Sequence, residues 1–390
     1  MLSGAFAARR YRLRTEAQSR AASCRGSQRQ QIWQRLIQIR DATDLRGDNP
    51  TAPTWKHAMH LVCPAGNLPA LKAAVDAGAD AVYLGFRDQT NARAFPGLNF
   101  SDTEIRDGLR HARDRGCRVY VALNTYPDSA RLGAWESAVD RAAELGVDAI
   151  IAADMAVLDY ACKHHPSLPR HLSVQGSATT AAALRYYFER FGIARAVLPR
   201  VLAIQQVERL CAKSPVPLET FAFGSLCIMV EGRCQLSSYV TGMSPNRHGV
   251  CSPASFVRWE EADDGSRSVR LNGVLIDRFE PDEPAGYPTV CKGRYEVGEH
   301  TFHALEEPTS LNTLDLLPRL LAAGVVALKI EGRQRGAAYV GAVTRVWRAA
   351  IDRALQSTQD WRPEPEWQTE LTRHAEGRQT TLGPYHRAWQ

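Results

Sequence analysis

Residues 61–85 read LVCPAGNLPALKAAVDAGADAVYLG. An apolar run at 60–63 leads into a segment of helical apolar spacing at 68–77. A second apolar run, at 81–86, follows it. Strand, helix and strand in that order predict a βαβ unit, in which the two strands lie parallel in one sheet.

The unit recurs along the chain. Further apolar runs fall at 118–124, 149–154, 172–177, 196–200, 218–224 and 326–331. Helical segments are predicted between them at 102–115, 130–145, 155–164, 180–191 and 204–212. Near-continuous apolar strands separated by helices imply a parallel sheet covered on both faces. Eight of them favour an α/β fold of the (β/α)8 TIM-like barrel type over an open doubly wound sheet. Barrel active sites collect at the carboxyl ends of the strands. Those ends supply Asn124, Asp154, Gln175, Arg200, Gly224 and Glu331. For any one of them the plain alternative is the polar start of a loop.

The rhythm breaks once, at 225–325, an interval far too long for an ordinary βα loop. Within this insertion after strand seven we expect a hairpin of 257–261 with 268–277 and another of 294–297 with 301–305. A helix at 311–322 is then expected to return the chain to the last strand.

Composition bounds the function. The chain has 390 residues, 44% hydrophobic and 23% charged, as soluble globular proteins do. No apolar run approaches the roughly 20 residues that cross a bilayer, so no integral membrane segment is expected. The net charge is +6, of which residues 1–58 supply +7, with 11 Lys/Arg against 4 Asp/Glu. The rest holds 37 against 38, or −1. A basic face for nucleic acid is therefore not expected on the domain at 59–390. The basic stretch at 1–58, with one short amphipathic segment at 32–39, reads as a disordered extension. Translation starting at Met59 would explain it. Its Arg-rich composition also suits an organelle transit peptide, but it lacks the apolar core of a secretory signal. A cytoplasmic protein is expected.

The nine cysteines sort by position. Cys117, Cys162 and Cys211 stand singly in or beside helices, as packing residues do. Cys24 lies in the extension, and Cys63 ends the first strand. The other four, Cys227, Cys234, Cys251 and Cys291, all lie in the insertion. Four thiolates suit a [4Fe–4S] cluster or a structural zinc. The spacing contains no C-x-x-C pair, which favours a cluster held by dispersed loop cysteines, although it also misses the ferredoxin patterns. Gly224, Gly232, Gly242 and Gly249 flank the first three cysteines and permit close backbone approach. Arg233, beside Cys234, would offset cluster charge.

The stretches ETFAFGSLC (219–227), GRCQLS (232–237) and KIEGR (329–333), with the opening 61–85, resemble the collagenase-like peptidase family. Residues 178–180, 198–202, 305–314 and 380–386 resemble its ubiquinone-biosynthesis branch. The resemblance runs from Met59 to the C-terminus. It implies a [4Fe–4S] cluster on Cys227, Cys234, Cys251 and Cys291 and a heterodimer with a paralogous UbiV-like protein carrying its own cluster. It also implies O2-independent hydroxylation of the aromatic ring of a ubiquinone precursor. Relatives that hydroxylate RNA draw on prephenate. By analogy Arg200, Arg333 and Arg335 would bind a donor carboxylate, with Arg200, Glu331 and Arg333 as the catalytic candidates. Salt bridges to Glu331 or Glu219 are the structural alternative for these arginines. RNA hydroxylation and a zinc-binding scaffold are the other functional readings. Proteolysis finds no support in a G-x-S-x-G or H-E-x-x-H motif, and the side chains of the adjacent His164 and His165 are expected to diverge.

Overall fold

The computed structural model describes residues 59–386 apart from 95, 228, 230–232 and 246–249. The extension at 1–58, its segment at 32–39, and Gly232 and Gly249 lie outside the described residues. Seven strands, β1 (His60–Pro64), β2 (Ala81–Leu84), β3 (Arg118–Leu123), β4 (Ala149–Ala152), β5 (Arg170–Leu172), β6 (Arg195–Val197) and β7 (Leu218–Ser225), each pair in parallel with the next. The strand Ala327–Ile330 pairs in parallel with both β7 and β1 and closes the barrel.

Helices α1 (Leu68–Asp76), α2 (Asp102–Arg113), α3 (Leu132–Leu145), α4 (Met155–His164), α5 (Ala181–Phe191) and α6 (Ile204–Cys211) lie between successive strands. Local chemistry sets where they begin. The Asn67 side chain accepts from the Ala70 N–H, Ser101 and Glu104 form a capping box, and Asp154 caps α4. Side chains alternate across each strand. In β1, Leu61 and Cys63 join the apolar layer beneath the helices, whereas Val62 faces the barrel interior with Tyr83, Tyr120 and Ile151.

The interior also holds charge. Glu219 is buried between Lys329, at 2.9 Å, and Arg195, at 3.2 Å. Burial alone would raise the Glu219 carboxyl, but Lys329 and Arg195 outweigh it and hold it at about 2.

Two barrel strands are shifted from expectation. The expected strand at 172–177 is β5 at Arg170–Leu172, because the Ser173 hydroxyl accepts from the Gln175 N–H and turns the backbone into a short 3-10 helix, Val174–Gly176. Strand six likewise ends at Val197 rather than at 200.

The insertion carries α7 (Gln235–Thr241) and then β8 (Val257–Glu261), β9 (Arg267–Leu271) and β10 (Val274–Phe279), an antiparallel meander over a small core of Val269, Leu271, Ile276 and Phe279. The expected two-stranded hairpin is thus three-stranded. Asn272 and Gly273 both have positive φ, 47° and 82°, and break what the sequence suggested was one strand. The second hairpin, β11 (Tyr295–Val297) with β12 (His300–Phe302), forms as expected.

The expected helix at 311–322 is replaced by β13 (Ser310–Asn312), a 3-10 turn (Leu314–Leu316) and α8 (Leu317–Ala322). Pro318 sits in the first turn of α8, where its missing N–H costs nothing, so the helix starts there. β13 runs antiparallel to the end of β7, with Ser310 opposite Ser225. The closing barrel strand is therefore β14. After it, α9 (Ala337–Gln356) packs Val340, Val343, Trp347 and Ile351 inward and lies against α1 and β1. Then come α10 (Pro365–His374) and β15 (Thr380–Thr381), which pairs with β13.

Candidate functional site

At the barrel mouth, β7 and the end of β14 approach more closely than a side chain would permit. Gly224 has φ +125°, and a Cβ there would lie 2.7 Å from the Glu331 Cβ and 2.8 Å from the Glu331 carbonyl oxygen. Glycine at this point lets the Glu331 N–H donate to the Phe223 carbonyl at 2.8 Å. The Glu331 carboxylate then meets Arg93, whose Nη2 is 3.3 Å from Oε1.

Arg93 belongs to the loop after β2, which is built from amide side chains. Asn91 Oδ1 accepts from the Arg93 N–H at 3.1 Å, and Asn99 Nδ2 donates to the Arg93 carbonyl at 2.6 Å. Asn124 Oδ1 accepts from the Ala92 N–H at 3.0 Å. Burial would raise the Glu331 carboxyl, but Arg93, Arg200 and Arg335 outweigh it and hold it below its ordinary value. Burial would lower the Arg93 guanidinium, and Glu331 and Cys251 hold it above its ordinary value instead.

The three arginines singled out from sequence all reach this mouth, in different settings. Arg333 is buried and donates to Asn91 Oδ1 at 3.1 Å. It stands over the Tyr83 ring at 5.7 Å, and burial draws it down to about 10. Its orientation is thus set by an amide rather than by the expected carboxylates. Arg200 donates to the Ser225 carbonyl and lies 4.4 Å over the Phe221 ring. Arg335 is half-buried, 3.7 Å from Glu376. Glu219, the other expected carboxylate, is taken up by Lys329 and Arg195 deeper in the barrel.

The segments carrying the four insertion cysteines are tied to one another, and Cys251 lies near Arg93. Cys227 follows β7 by two residues. Cys234 caps α7 with its sulfur, which accepts from the Ser237 N–H at 3.4 Å, and the Ser237 hydroxyl donates to the Cys251 carbonyl. The same helix packs against the turn Val290–Lys292 that carries Cys291. Burial pushes the Cys251 thiol up to about 12. Arg93 opposes this, and Cys227, Cys234 and Cys291 push the same way, so the other three thiols lie within electrostatic reach of Cys251. Among the described residues no disulfide joins them, and no three His, Cys, Asp or Glu side chains are disposed to hold a metal ion.

The remaining candidates divide cleanly. Cys63 is fully buried, accepts from the Thr344 hydroxyl at 3.2 Å and is pushed up to about 12 by burial, so it is a packing residue. Cys117 and Cys162 are buried and Cys211 is half-buried. Asp154 is used as a helix cap. The buried Gln175 accepts the Tyr126 hydroxyl on its carbonyl at 2.7 Å. Tyr126 in turn receives Arg233 at 3.0 Å, so the cation beside Cys234 is turned toward a phenol. His164 stacks on Tyr160, while His165 bonds Asp140 at 2.6 Å, so the pair diverges as expected.

Reading only the final residue of each strand missed Asn91 and Arg93, which lie farther along the loop after β2. Lys292 and Glu376 were missed because nothing local marks them.

A family model described as Peptidase family U32 matches residues 66–387. The chain is 30% identical to tRNA hydroxylation protein P1 of Bacillus subtilis (strain 168), over 81% of this chain and 68% of that protein. It is 31% identical to tRNA hydroxylation protein P of Escherichia coli (strain K12), over 75% and 68%. It is 27% identical to the 23S rRNA 5-hydroxycytidine C2501 synthase of Escherichia coli (strain K12), over 78% of this chain and 41% of that protein.

Proposed function

The chain belongs to peptidase family U32, and on that premise we propose that it is the iron–sulfur subunit of an O2-independent hydroxylase acting on the aromatic ring of a ubiquinone precursor. The observation that carries this reading is that the segments bearing Cys227, Cys234, Cys251 and Cys291 are tied together at the barrel mouth, with Cys251 near Arg93 of the Arg93–Glu331 pair. Hydroxylation is the activity named for three relatives. The UbiU-like resemblance of residues 198–202, 305–314 and 380–386, and the charge of −1 over residues 59–390, favour a quinone ring over a polyanion.

By donor chemistry the four cysteines suit the implied group, although among the described residues they do not stand as a formed metal site. Four sulfurs without a carboxylate suit a [4Fe–4S] cluster, and Arg93 and Lys292 place positive charge beside Cys251 and Cys291. When bound, the cluster would supply electron transfer or Lewis acidity. The chain's own residues prepare the mouth around it. Glu331 gathers Arg93, Arg200 and Arg335, Asn91 orients Arg333, and Tyr83 is fixed by donating to the Ile330 carbonyl at 2.9 Å. Arg200 and Arg333 would, on this proposal, hold the carboxylate of an oxygen donor. In this reading the paralogous UbiV-like chain completes the complex, and among the described residues no helix is long and apolar enough to cross a membrane.

RNA hydroxylation is the second reading, favoured by the names of the relatives. Two measurements separate the readings. Protein purified without oxygen is assayed for metal and absorbance: about four irons per chain supports the cluster, and stoichiometric zinc without iron sinks it. A deletion strain grown without oxygen is then profiled for quinones and hydroxylated nucleosides. Loss of ubiquinone with intact nucleosides supports the quinone substrate, and the reverse pattern transfers the protein to RNA.

A further inference from the structure

We infer that Glu376 is a positioning residue that ties the first and last cysteine segments of the candidate cluster site to each other. The inference rests on the iron–sulfur reading above. Glu376 comes from the C-terminal part of the chain, far from the insertion in sequence, yet its carboxylate is shared by both segments. Oε1 accepts from the Ser225 hydroxyl at 2.6 Å, and Oε2 pairs with Lys292 Nζ. Lys292 Nζ also donates to Ser225 Oγ at 3.3 Å, closing a three-membered ring of side chains. Ser225 stands two residues before Cys227, and Lys292 is the residue after Cys291.

The backbone places the carboxylate there for stated reasons. The Glu376 N–H donates to Ser310 Oγ at 2.9 Å, at the point where β13 meets β7. The next residue, Gly377, has φ +57°, and a Cβ on it would lie 2.2 Å from the Pro308 carbonyl oxygen, so the chain turns there only with glycine. The side chains of Lys292 and Glu376 are 11% and 24% exposed, so water screens the pair only partly. Arg335, at 3.7 Å, adds a contact from the loop after β14. Outer contacts of this kind hold ligand segments in place, and their loss typically costs about 10–100-fold in metal affinity or activity. A carboxylate that merely anchored the C-terminus would change the unfolding midpoint and leave a bound cluster's behaviour alone.

The test compares full-length wild type, Glu376→Gln and Glu376→Ala, all purified without oxygen, in iron content, rate of iron release to a chelator and the paramagnetic resonance spectrum of the reduced protein. We expect release about 10-fold faster in Glu376→Ala. Glu376→Gln should be intermediate, since its amide keeps the Ser225 bond and loses the Lys292 charge pair, and its spectrum should be altered. Wild-type release rates and spectrum in both variants would overturn the positioning role while leaving the iron–sulfur reading intact. A wild-type protein without iron would overturn both. Should Glu376→Ala fail to fold, Glu376→Gln decides by the same comparison.

Discussion

Arg93 Nη2 stands 3.3 Å from Glu331 Oε1, although 238 residues separate the two in sequence. The pair joins the loop after β2 to the end of β14 and so spans the barrel mouth above β1. Arg93 is also the cation that draws the Cys251 thiol downward, so one guanidinium links the carboxylate at the mouth to the cysteine set.

Replacing Glu331 with glutamine leaves Arg93, Arg200 and Arg335 without their shared counter-charge. The expected loss is about 1–3 kcal/mol of stability, below the range for a fully buried pair because Arg93 is partly exposed. Urea denaturation measures it, and hydroxylation in complemented cells should fall with it. A variant with unchanged stability and full activity would show that the pair is incidental.

Gly224→Ala forces a Cβ against the Glu331 carbonyl at a positive φ. Backbone oxygen has nowhere to retreat, so a loss of at least about 2 kcal/mol is expected from strain and displacement together. Thermal unfolding compared with Gly242→Ala, where φ is +68° and a Cβ meets nothing within 4 Å, sets an uncrowded left-handed alanine against the combined contact and strain at Gly224.

Acid should weaken the barrel from its interior. Burial keeps His171 neutral well below its ordinary 6.5, so the unfolded chain takes up a proton that the folded chain refuses, and stability falls as the pH drops below 6.5. Glu219 is held at about 2 against an ordinary 4.5. Its contribution is complete above 4.5 and disappears as the pH falls from there toward 2. Glu219→Gln should flatten this lower limb and cost about 3–5 kcal/mol at neutral pH, because Lys329 and Arg195 are left buried without their carboxylate. Urea midpoints at pH 7, 5 and 3 would show both effects.

The cysteines should separate by role. Cys63→Ala removes a buried sulfur and is expected to cost about 1–2 kcal/mol while leaving iron content unchanged. Cys234→Ala should abolish the iron and the brown absorbance. Iron retained in Cys234→Ala would remove that residue from the ligand set.

The barrel was legible because most of its strands are largely apolar and several helices carry their own start signal, as at Asn67, Ser101 and Asp154. Errors arose where a local bond outcompeted the pattern. Ser173 ended β5 early, and Asn272-Gly273 folded an apparently continuous strand back on itself, a turn the dipeptide alone should have signalled. The start of segment 311–322 read as helix because its apolar spacing fits one, and only pairing with β7 makes its first residues a strand. The cysteines could be picked out by counting. Their neighbours could not, because the partners of Arg93 and Glu376 are set by tertiary packing and no local spacing announces them.

The pairing of Ser225 with Ser310 has a consequence for the barrel as a scaffold. Residues 226–309 depart and return through adjacent backbone, so to the rest of the fold this excursion is no wider than a hairpin. Once loop ends are held together, doubling the length between them adds only about 0.6 kcal/mol of closure entropy. The fold is therefore nearly indifferent to how much chain is carried at this one position, and new sequence can be accommodated there without disturbing the closure of the eight strands.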